Sequence, residues 1–277
     1  MVNNNMKAII LLILFCSFFV YGFQKKLNIS DKVISSLLFC PDKTLKEKPS
    51  DFGLKYKEVS IVIENGKTLH GWYVLADKKT DKNIIYLHGS KGNASLYLGG
   101  IQQLHKAGAN ILIVDYEGFG NSSGKASIKN TIKDAIAMYD YLIDKQFAKP
   151  ENISLFGYSY GGAIAIELAL KRKVHAILLE STFSSLRDIA TSKYSFLGSL
   201  LVPNDLLNSK KNIKRINVPV IIAYAGNDQI IPIVHSKNLF TSANSPKYLF
   251  KIKNAQHHNI FKFVTDKYIN LIKKKLV

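Results

Sequence analysis

The sequence has few cysteines that could cross-link it. It contains 2 cysteines in 277 residues. Cys16 lies inside an apolar stretch and Cys40 outside it, so an internal disulfide framework is excluded. None of the histidine spacings imitates a zinc site, and we expect neither a metal nor an organic cofactor. No internal repeat or low-complexity segment is apparent, which argues against repeat architectures.

Acidic residues are scarce, with 20 Asp and Glu against 38 Lys and Arg, giving a formal net charge of +18. An excess of positive charge can indicate a nucleic-acid-binding protein, but here the lysines are scattered along the sequence rather than gathered in one block. We therefore expect no specific nucleic-acid partner. A general excess of positive charge favours binding to anionic membrane surfaces or acidic partners. A lysine-rich amino-acid composition without any such role would give the same net charge.

One long apolar run stands near the N-terminus, from Ala8 to Phe23, followed by Lys25 and Lys26. As a helix it would reach about 24 Å, short of the about 30 Å of a bilayer core. We interpret residues 1–25 as an uncleaved signal-anchor, with a cleaved signal peptide as the alternative. The protein is then membrane-associated, or exported if the leader is removed. Lysines on both flanks leave the side of the membrane open.

Past residue 50, short apolar runs alternate with helical patterns. The segment "EVSIVIENGKTLHGWYVLA" predicts two strands joined at Asn65-Gly66, a pair typical of hairpin turns. The domain therefore begins with antiparallel strands. Continuous apolar runs follow, as expected of strands buried on both faces of a parallel sheet: "NIIYLHG", "NILIVDY", "ISLFGYS", "HAILLES" and "PVIIAYAG".

Apolar residues recur at helical spacing over 132–143 and again over 261–272. A hairpin followed by repeated β-α units predicts an α/β fold, with a mostly parallel central sheet, an antiparallel entry hairpin and helices on both faces. We assign residues 51–277 to this domain and 26–50 to a connecting segment. The interval at about 181–217 has no obvious strand, and we interpret it as a short cap.

One serine stands in a motif typical of nucleophiles. Gly157, Ser159 and Gly161 form G-x-S-x-G within "LFGYSYGGA", between an apolar run and a helical stretch. A turn this tight leaves no room for side chains at the flanking positions, which explains the two glycines. It holds the serine hydroxyl at a helix N-terminus, where amide dipoles favour developing negative charge. We interpret Ser159 as a catalytic nucleophile.

A serine nucleophile needs a base, and the base needs an orienting carboxylate. The chain order expected for such a fold is serine, then acid, then histidine. Asp228 lies just beyond the apolar run that ends at Tyr224. His257 and His258 directly follow the next predicted strand. Two adjacent histidines point in different directions, so only one of them can be the base.

The loop "YLHGSKGNAS" follows the predicted strand "NIIYL". Its glycines allow the backbone to approach the site, where amides hold an oxyanion. We expect the backbone N–H groups of Ser90 and Tyr160 to have this role. His88, in the same loop, is expected to make structural hydrogen bonds rather than to act as a second base.

Five motifs occur in the order "HGSKGN", "DYEGFGNSSG", "GYSYGG", "GNDQIIP" and "HHNI". On these motifs the chain resembles the α/β-hydrolase superfamily, and more narrowly the small membrane-anchored hydrolases related to serine aminopeptidases and depalmitoylating thioesterases. The resemblance covers about residues 35–277 and places the nucleophile on Ser159 and the acid on Asp228. The family's histidine pattern aligns without a gap on "HHNI". This favours His257 as the base, with His258 as the fallback.

The resemblance implies a serine hydrolase that cleaves ester or thioester bonds of a small-molecule or acyl-protein substrate, without a cofactor. Aromatic cap residues, Phe183, Tyr194 and Phe196, would suit an apolar acyl group, or they simply pack the cap onto the sheet. Two alternatives stay open. One is a peptidase like the serine aminopeptidases, and the other is a non-catalytic, basic membrane-surface protein that has kept the fold.

Overall fold

The computed structural model describes residues 31–194 and 202–277. The apolar stretch at 8–23 and Phe196 of the cap lie outside these ranges, so the expectations for them stay predictions. In the part of the chain that the structure describes, no helix has the length and the apolar character needed to cross a membrane.

Most of the strands form one central sheet. In chain order the strands are β1 (Cys40–Pro41), β2 (Tyr56–Val62), β3 (Thr68–Val74), β4 (Asn83–Leu87), β5 (Lys91–Gly92), β6 (Asn110–Val114), β7 (Ile153–Tyr158), β8 (Ile177–Glu180), β9 (Val220–Ala225) and β10 (Lys247–Ile252). The central sheet has 8 strands in the order β10-β9-β8-β7-β4-β6-β3-β2. Its β2–β3 and β3–β6 pairs are antiparallel and its other pairs are parallel. The predicted parallel sheet with an antiparallel entry hairpin is confirmed.

Helices connect and flank these strands. The described α-helices are α1 (Asp31–Leu38), α2 (Leu98–His105), α3 (Ile128–Gln146), α4 (Tyr160–Ala169), α5 (Leu186–Tyr194), α6 (Ser209–Asn212), α7 (Ile233–Ser242) and α8 (Asp266–Leu276). Short 3₁₀ turns lie at Pro49–Phe52, Glu64–Gly66, Ala94–Tyr97, Pro150–Asn152, Ile213–Arg215 and His257–Phe263. The turn at Glu64–Gly66 joins the two strands of the entry hairpin.

The central strands are buried on both faces, which explains their uninterrupted apolar runs. In β6, Ile111 and Ile113 belong to one hydrophobic cluster, while Leu112 and Val114 belong to another on the opposite face. All four side chains are fully buried. Alternate residues of a strand point to opposite faces, so each strand contributes to two cores.

Each core is closed by helices from one side of the sheet. Met138 and Leu142 of α3 lie in the cluster of Leu112 and Val114, together with buried residues of α4. Leu98 of α2 and Ile272 of α8 lie in the cluster of Ile111 and Ile113. Helices therefore cover both faces, as the sequence pattern predicted.

The described part of the predicted connecting segment packs against the domain. Ile34 of α1 and Phe39 are buried and belong to the same cluster as α3 and α4. β1 then pairs with β5 in a separate two-stranded parallel sheet. Residues 31–41 are thus part of the folded body rather than a solvated connection.

The C-terminal helix begins later than the apolar pattern predicted. Phe261 lies in the 3₁₀ stretch, and helix α8 starts only at Asp266. Thr265 interrupts the pattern because its backbone is extended, with φ −111° and ψ 158°. Ring atoms of Phe261 instead lie where a side chain on Gly99 would be, so Phe261 packs on helix α2.

Candidate active site

Three of the predicted site residues lie at one edge of the central sheet. Ser159 follows β7, Asp228 comes 3 residues after the end of β9, and His257 comes 5 residues after the end of β10. Strands β7, β8, β9 and β10 are neighbours and run parallel, so their carboxyl ends meet at the same edge. Side chains that are far apart in sequence are brought together there.

Two hydrogen bonds join the three side chains. Nε2 of His257 is 3.1 Å from Oγ of Ser159, and Nδ1 of His257 is 2.8 Å from Oδ2 of Asp228. The side chains of His257 and Asp228 are only 6% and 2% exposed, so water competes little for these bonds. Oδ1 of Asp228 accepts the backbone N–H groups of Ile230 and Ile231 at 2.9 and 2.8 Å. The carboxylate is therefore fixed on both oxygens.

The structure separates the two adjacent histidines. His257 is buried and lies within hydrogen-bond reach of Ser159. His258 is exposed, and its ring lies 5.2 Å from the His257 ring at an angle of 88°. His257 is thus placed to take the serine proton, and His258 lies beside it on the surface.

Asp228 is held in its charged form. Burial by itself would raise the pKa of this carboxyl, but the hydrogen bond and charge of His257, together with the Ile231 N–H and Ser181, keep the pKa below its ordinary value. An ionised carboxylate is what orients an imidazole and stabilises its protonated form.

The turn that carries Ser159 is strained, as expected of a nucleophile elbow. Its φ of 53° and ψ of −116° are unusual for a residue with a side chain. A Cβ on Gly161 would collide with the carbonyl oxygens of Leu87 and His88, and one on Gly157 would collide with Gly162. Both flanking glycines are therefore required by backbone packing, which holds the serine in this conformation.

The two residues predicted to supply oxyanion amides lie around this turn. Tyr160 is the first residue of α4, at the helix N-terminus, where the helix dipole favours negative charge. Ser90 lies in the loop after β4, which is the strand beside β7. Within the described residues, the backbone N–H of Ser90 has no hydrogen-bond acceptor. Such an amide can be satisfied by a substrate oxygen.

The surroundings of His88 fit the structural role predicted for it. It is fully buried, its Nδ1 lies 2.8 Å from the carbonyl oxygen of Gly89, and its ring packs against Tyr97, Tyr116 and Phe119. Burial lowers the pKa of His88 to about 4. A neutral imidazole enclosed by aromatic rings holds the loop rather than exchanging protons with substrate.

Sequence reasoning missed a contact made by Tyr158. Its hydroxyl donates to the backbone carbonyl of His257 at 2.5 Å, and its ring lies 5.2 Å from the imidazole. This tyrosine ties the elbow to the loop that carries His257. It occupies a variable position of G-x-S-x-G, so the motif carried no signal for it.

Glu180 was also missed, although it adjoins the nucleophile. Its backbone carbonyl accepts the N–H of Ser159 at 2.8 Å, and its buried carboxyl accepts the Tyr268 hydroxyl at 2.8 Å. Burial raises the pKa of Glu180 to about 7, although the Tyr268 hydrogen bond opposes the shift. A carboxyl at the end of an apolar strand gives no pattern that would have revealed this role.

The raised pKa of Glu180 predicts that stability falls as pH rises. The unfolded chain ionises this group near its ordinary pKa of 4.5, whereas the folded chain keeps the proton until about pH 7. The free energy of unfolding therefore drops by about 3 kcal/mol across that interval and stays lower above it. Glu180→Gln should remove this contribution and be more stable than the wild type at pH 8. Urea unfolding at several pH values measures the slope.

The matched control is Glu151→Gln, because Glu151 is exposed. Unlike Glu180→Gln, this variant should be no more stable than the wild type at pH 8. Part of the slope should also survive in Glu180→Gln, since burial likewise raises the pKa values of Asp115 and Asp134 to about 7. A Glu180→Gln variant with the full wild-type slope would show that this carboxyl is already ionised in the folded protein.

Of the three aromatic residues predicted to suit an acyl group, only Phe183 has its side chain in the described part of the chain. Phe183 is buried in the hydrophobic cluster of Leu112 and Val114, so its ring packs the loop after β8 onto the sheet. The side chain of Tyr194, like Phe196, lies outside the part that is described.

Comparison with known proteins gives three kinds of match. A sequence model of the family described as "Serine aminopeptidase, S33" matches residues 78–204, a range that includes Ser159. The uncharacterized protein YfhR of Salmonella typhi is 28% identical over 238 residues, covering 80% of each chain. An uncharacterized protein of Acanthamoeba polyphaga mimivirus is 32% identical over 212 residues, covering 67% of this chain and 70% of its own.

The fold is also similar to that of solved hydrolases. The esterase Pf2001 of Pyrococcus furiosus superposes with a TM-score of 0.72 at 21% identity, over 87% of this chain and 99% of its own. An alpha-beta hydrolase from Vibrio vulnificus superposes with a TM-score of 0.66 at 22% identity, over 80% of this chain and 81% of its own. At these identities the likeness concerns the fold alone.

Proposed function

The chain belongs to the α/β-hydrolase superfamily, related to the S33 serine aminopeptidases, and from this premise we propose that it is a serine hydrolase cleaving carboxylic ester or thioester bonds. The observation that carries the proposal is the continuous line of hydrogen bonds from Ser159 through His257 to Asp228. It lies at an elbow where Ser159 has a φ of 53°, and backbone strain of this kind is typical of functional sites.

These contacts support the following reaction. Nε2 of His257 takes the proton of Ser159 while Oγ attacks the acyl carbonyl, and the amides of Ser90 and Tyr160 donate to the oxyanion. His257 then gives its proton to the departing alcohol or thiol, leaving an acyl-serine. A water molecule then attacks the acyl-serine carbonyl and loses a proton to His257, which passes that proton to Oγ of Ser159 as the acid product leaves. Asp228 orients the imidazole throughout.

Acylated or lipid-like substrates fit this proposal best. Two structures of similar fold are named as esterases, from Pyrococcus furiosus and Rhodothermus marinus. The apolar stretch at 8–23 would place the site beside a bilayer if it serves as an anchor. A substrate of this class is a small-molecule ester or an acylated protein.

Labelling and hydrolysis test the proposal together. A protein lacking residues 1–25 is incubated with a fluorophosphonate probe and assayed on p-nitrophenyl esters of increasing chain length. We expect wild-type protein to be labelled and to hydrolyse the esters, and Ser159→Ala to do neither. Folded wild-type protein that takes up no label would overturn the enzyme proposal and leave the non-catalytic, membrane-surface role.

The family description also supports a second candidate, a peptidase of the serine aminopeptidase kind. Such an enzyme would recognise the free amino group of its substrate and cleave amino-acyl p-nitroanilides. The two candidates are separated by comparing those amides with esters of the same acyl group. Faster cleavage of the amino-acyl amide, lost on N-acetylation, would favour the peptidase.

We propose further that residues 1–25 hold the protein at a membrane. The support is the uninterrupted apolar run between Ala8 and Phe23 and the basic balance of the chain. Full-length protein should sediment with membranes after a high-salt wash. A protein recovered in the exported fraction without its leader would instead indicate a cleaved signal peptide.

A further inference from the structure

A short segment before the domain lies directly on the loop predicted to hold the oxyanion. We call residues Phe39–Asp42 the strap. Its backbone runs parallel to β5, where the Cys40 N–H donates to the carbonyl oxygen of Ser90 at 2.9 Å and the Asp42 N–H donates to that of Gly92 at 2.8 Å. The strap therefore holds the peptide group on the C-terminal side of Ser90.

The strap also contacts the second predicted oxyanion residue. The Phe39 ring meets the Tyr160 ring edge-on, with centroids 5.1 Å apart, and meets Phe119 in the same way at 5.9 Å. Phe39 is buried, so this contact excludes water. One short segment thus touches both residues whose amides would surround a substrate oxygen.

A further set of bonds fixes the strap itself. The carbonyl oxygen of Asp42 accepts the Gly120 N–H at 3.0 Å and the side-chain amide of Asn93 at 3.1 Å. Directly after the strap, Lys43 Nζ donates to the carbonyl oxygen of Ser122 at 2.9 Å. The strap is therefore attached to two loops at the active-site edge of the sheet.

The oxyanion loop needs such a support because of its composition. Gly89 and Gly92 flank Ser90 and Lys91, and Gly92 has a φ of 75°. Glycines leave a backbone many conformations, so the loop depends on contacts such as the His88–Gly89 bond and the strap bonds to hold its amides in place. A misplacement of about 1 Å in a catalytic group can cost as much as 10²-fold in rate.

We propose that the strap is a positioning element of the active site, which holds the Ser90 amide at the oxyanion and braces Tyr160. This inference rests on the proposed hydrolase function. It assigns to residues before the domain a role in the chemical step, which no motif of the sequence indicated.

The test removes one N–H group. Cys40→Pro deletes the donor to Ser90, because proline has no backbone N–H, while Cys40→Ala keeps it; the Cys40 side chain is exposed. We expect kcat of Cys40→Pro on a p-nitrophenyl ester to fall at least about tenfold relative to Cys40→Ala. KM should stay nearly unchanged. The pH at which kcat/KM is half-maximal should not move, because His257 and Asp228 are untouched.

Active-site titration with the fluorophosphonate corrects kcat for misfolded protein. Equal corrected kcat values in Cys40→Pro and Cys40→Ala would overturn the inference while leaving the hydrolase function intact. A wild-type protein without esterase activity would instead contradict the proposed function. If Cys40→Pro does not fold, Phe39→Leu provides the second test, since it keeps apolar volume but loses the ring contact with Tyr160. A normal kcat in that variant would also overturn the inference.

Discussion

Replacing Ser159 with alanine is expected to lower kcat for ester hydrolysis by about 10⁴- to 10⁶-fold. The Oγ atom is the only atom removed, and it is the one that His257 Nε2 faces at 3.1 Å. His257→Ala should cost about as much, because a serine without its base is a poor nucleophile at neutral pH. The double variant should be no slower than either single variant, since the two residues act as one unit. Steady-state kinetics with an activated ester gives all three values.

The control for this set is His258→Ala. His258 is exposed and lies beside the site without reaching Ser159, so its removal should leave kcat little changed. Ser159→Ala should also melt near the wild-type temperature, because alanine keeps the same strained backbone. A large loss in His258→Ala together with full activity in His257→Ala would assign the base to His258.

Asp228→Asn is expected to lower kcat by about 10⁴-fold with little change in structure. The asparagine oxygen can still accept the N–H groups of Ile230 and Ile231, which Oδ1 accepts now. Its amide group would then face Nδ1 of His257 and donate to it. This stabilises the wrong tautomer, with the proton on Nε2, so the imidazole cannot take the proton of Ser159. A continuous assay of ester hydrolysis at pH 7 measures the loss of kcat.

Asp205→Asn is the matched control, because Asp205 is a surface carboxylate paired only with Lys211 in the described chain. It should retain wild-type kcat. The Asp228→Asn protein should keep its melting temperature within a few degrees, so lost activity can be assigned to the tautomer. A loss smaller than about tenfold would mean that another group orients His257.

The sheet could be predicted because its strands are buried on both faces. Residues such as Ile111, Leu112 and Ile113 must all be apolar, and a continuous apolar run is visible in one sequence. The hairpin was visible because its turn needs a positive φ, which Gly66 adopts at 69°. The start of α8 was not predictable, since the pattern through Phe261 reflects packing on another helix rather than one continuous helix.

The proximity of Ser159, Asp228 and His257 could be predicted because each follows a strand in a fixed order and the proposed reaction requires those residue types. The supporting contacts could not. β1 and β5 are two residues long, too short to show any periodicity, and the bonds between them use backbone atoms. The bond from Tyr158 to the carbonyl oxygen of His257 likewise depends on how two loops meet in space.

The separation of Ser159 from His257 along the chain also has a consequence for synthesis. The two residues are 98 positions apart, and β9 and β10 must join the sheet beyond β8 before the imidazole can reach the serine. At translation rates of about 5 to 20 residues per second, the elbow waits roughly 5 to 20 s for its base. On the proposed mechanism, a nascent chain therefore carries an inert serine, and acyl transfer becomes possible only once β10 has docked.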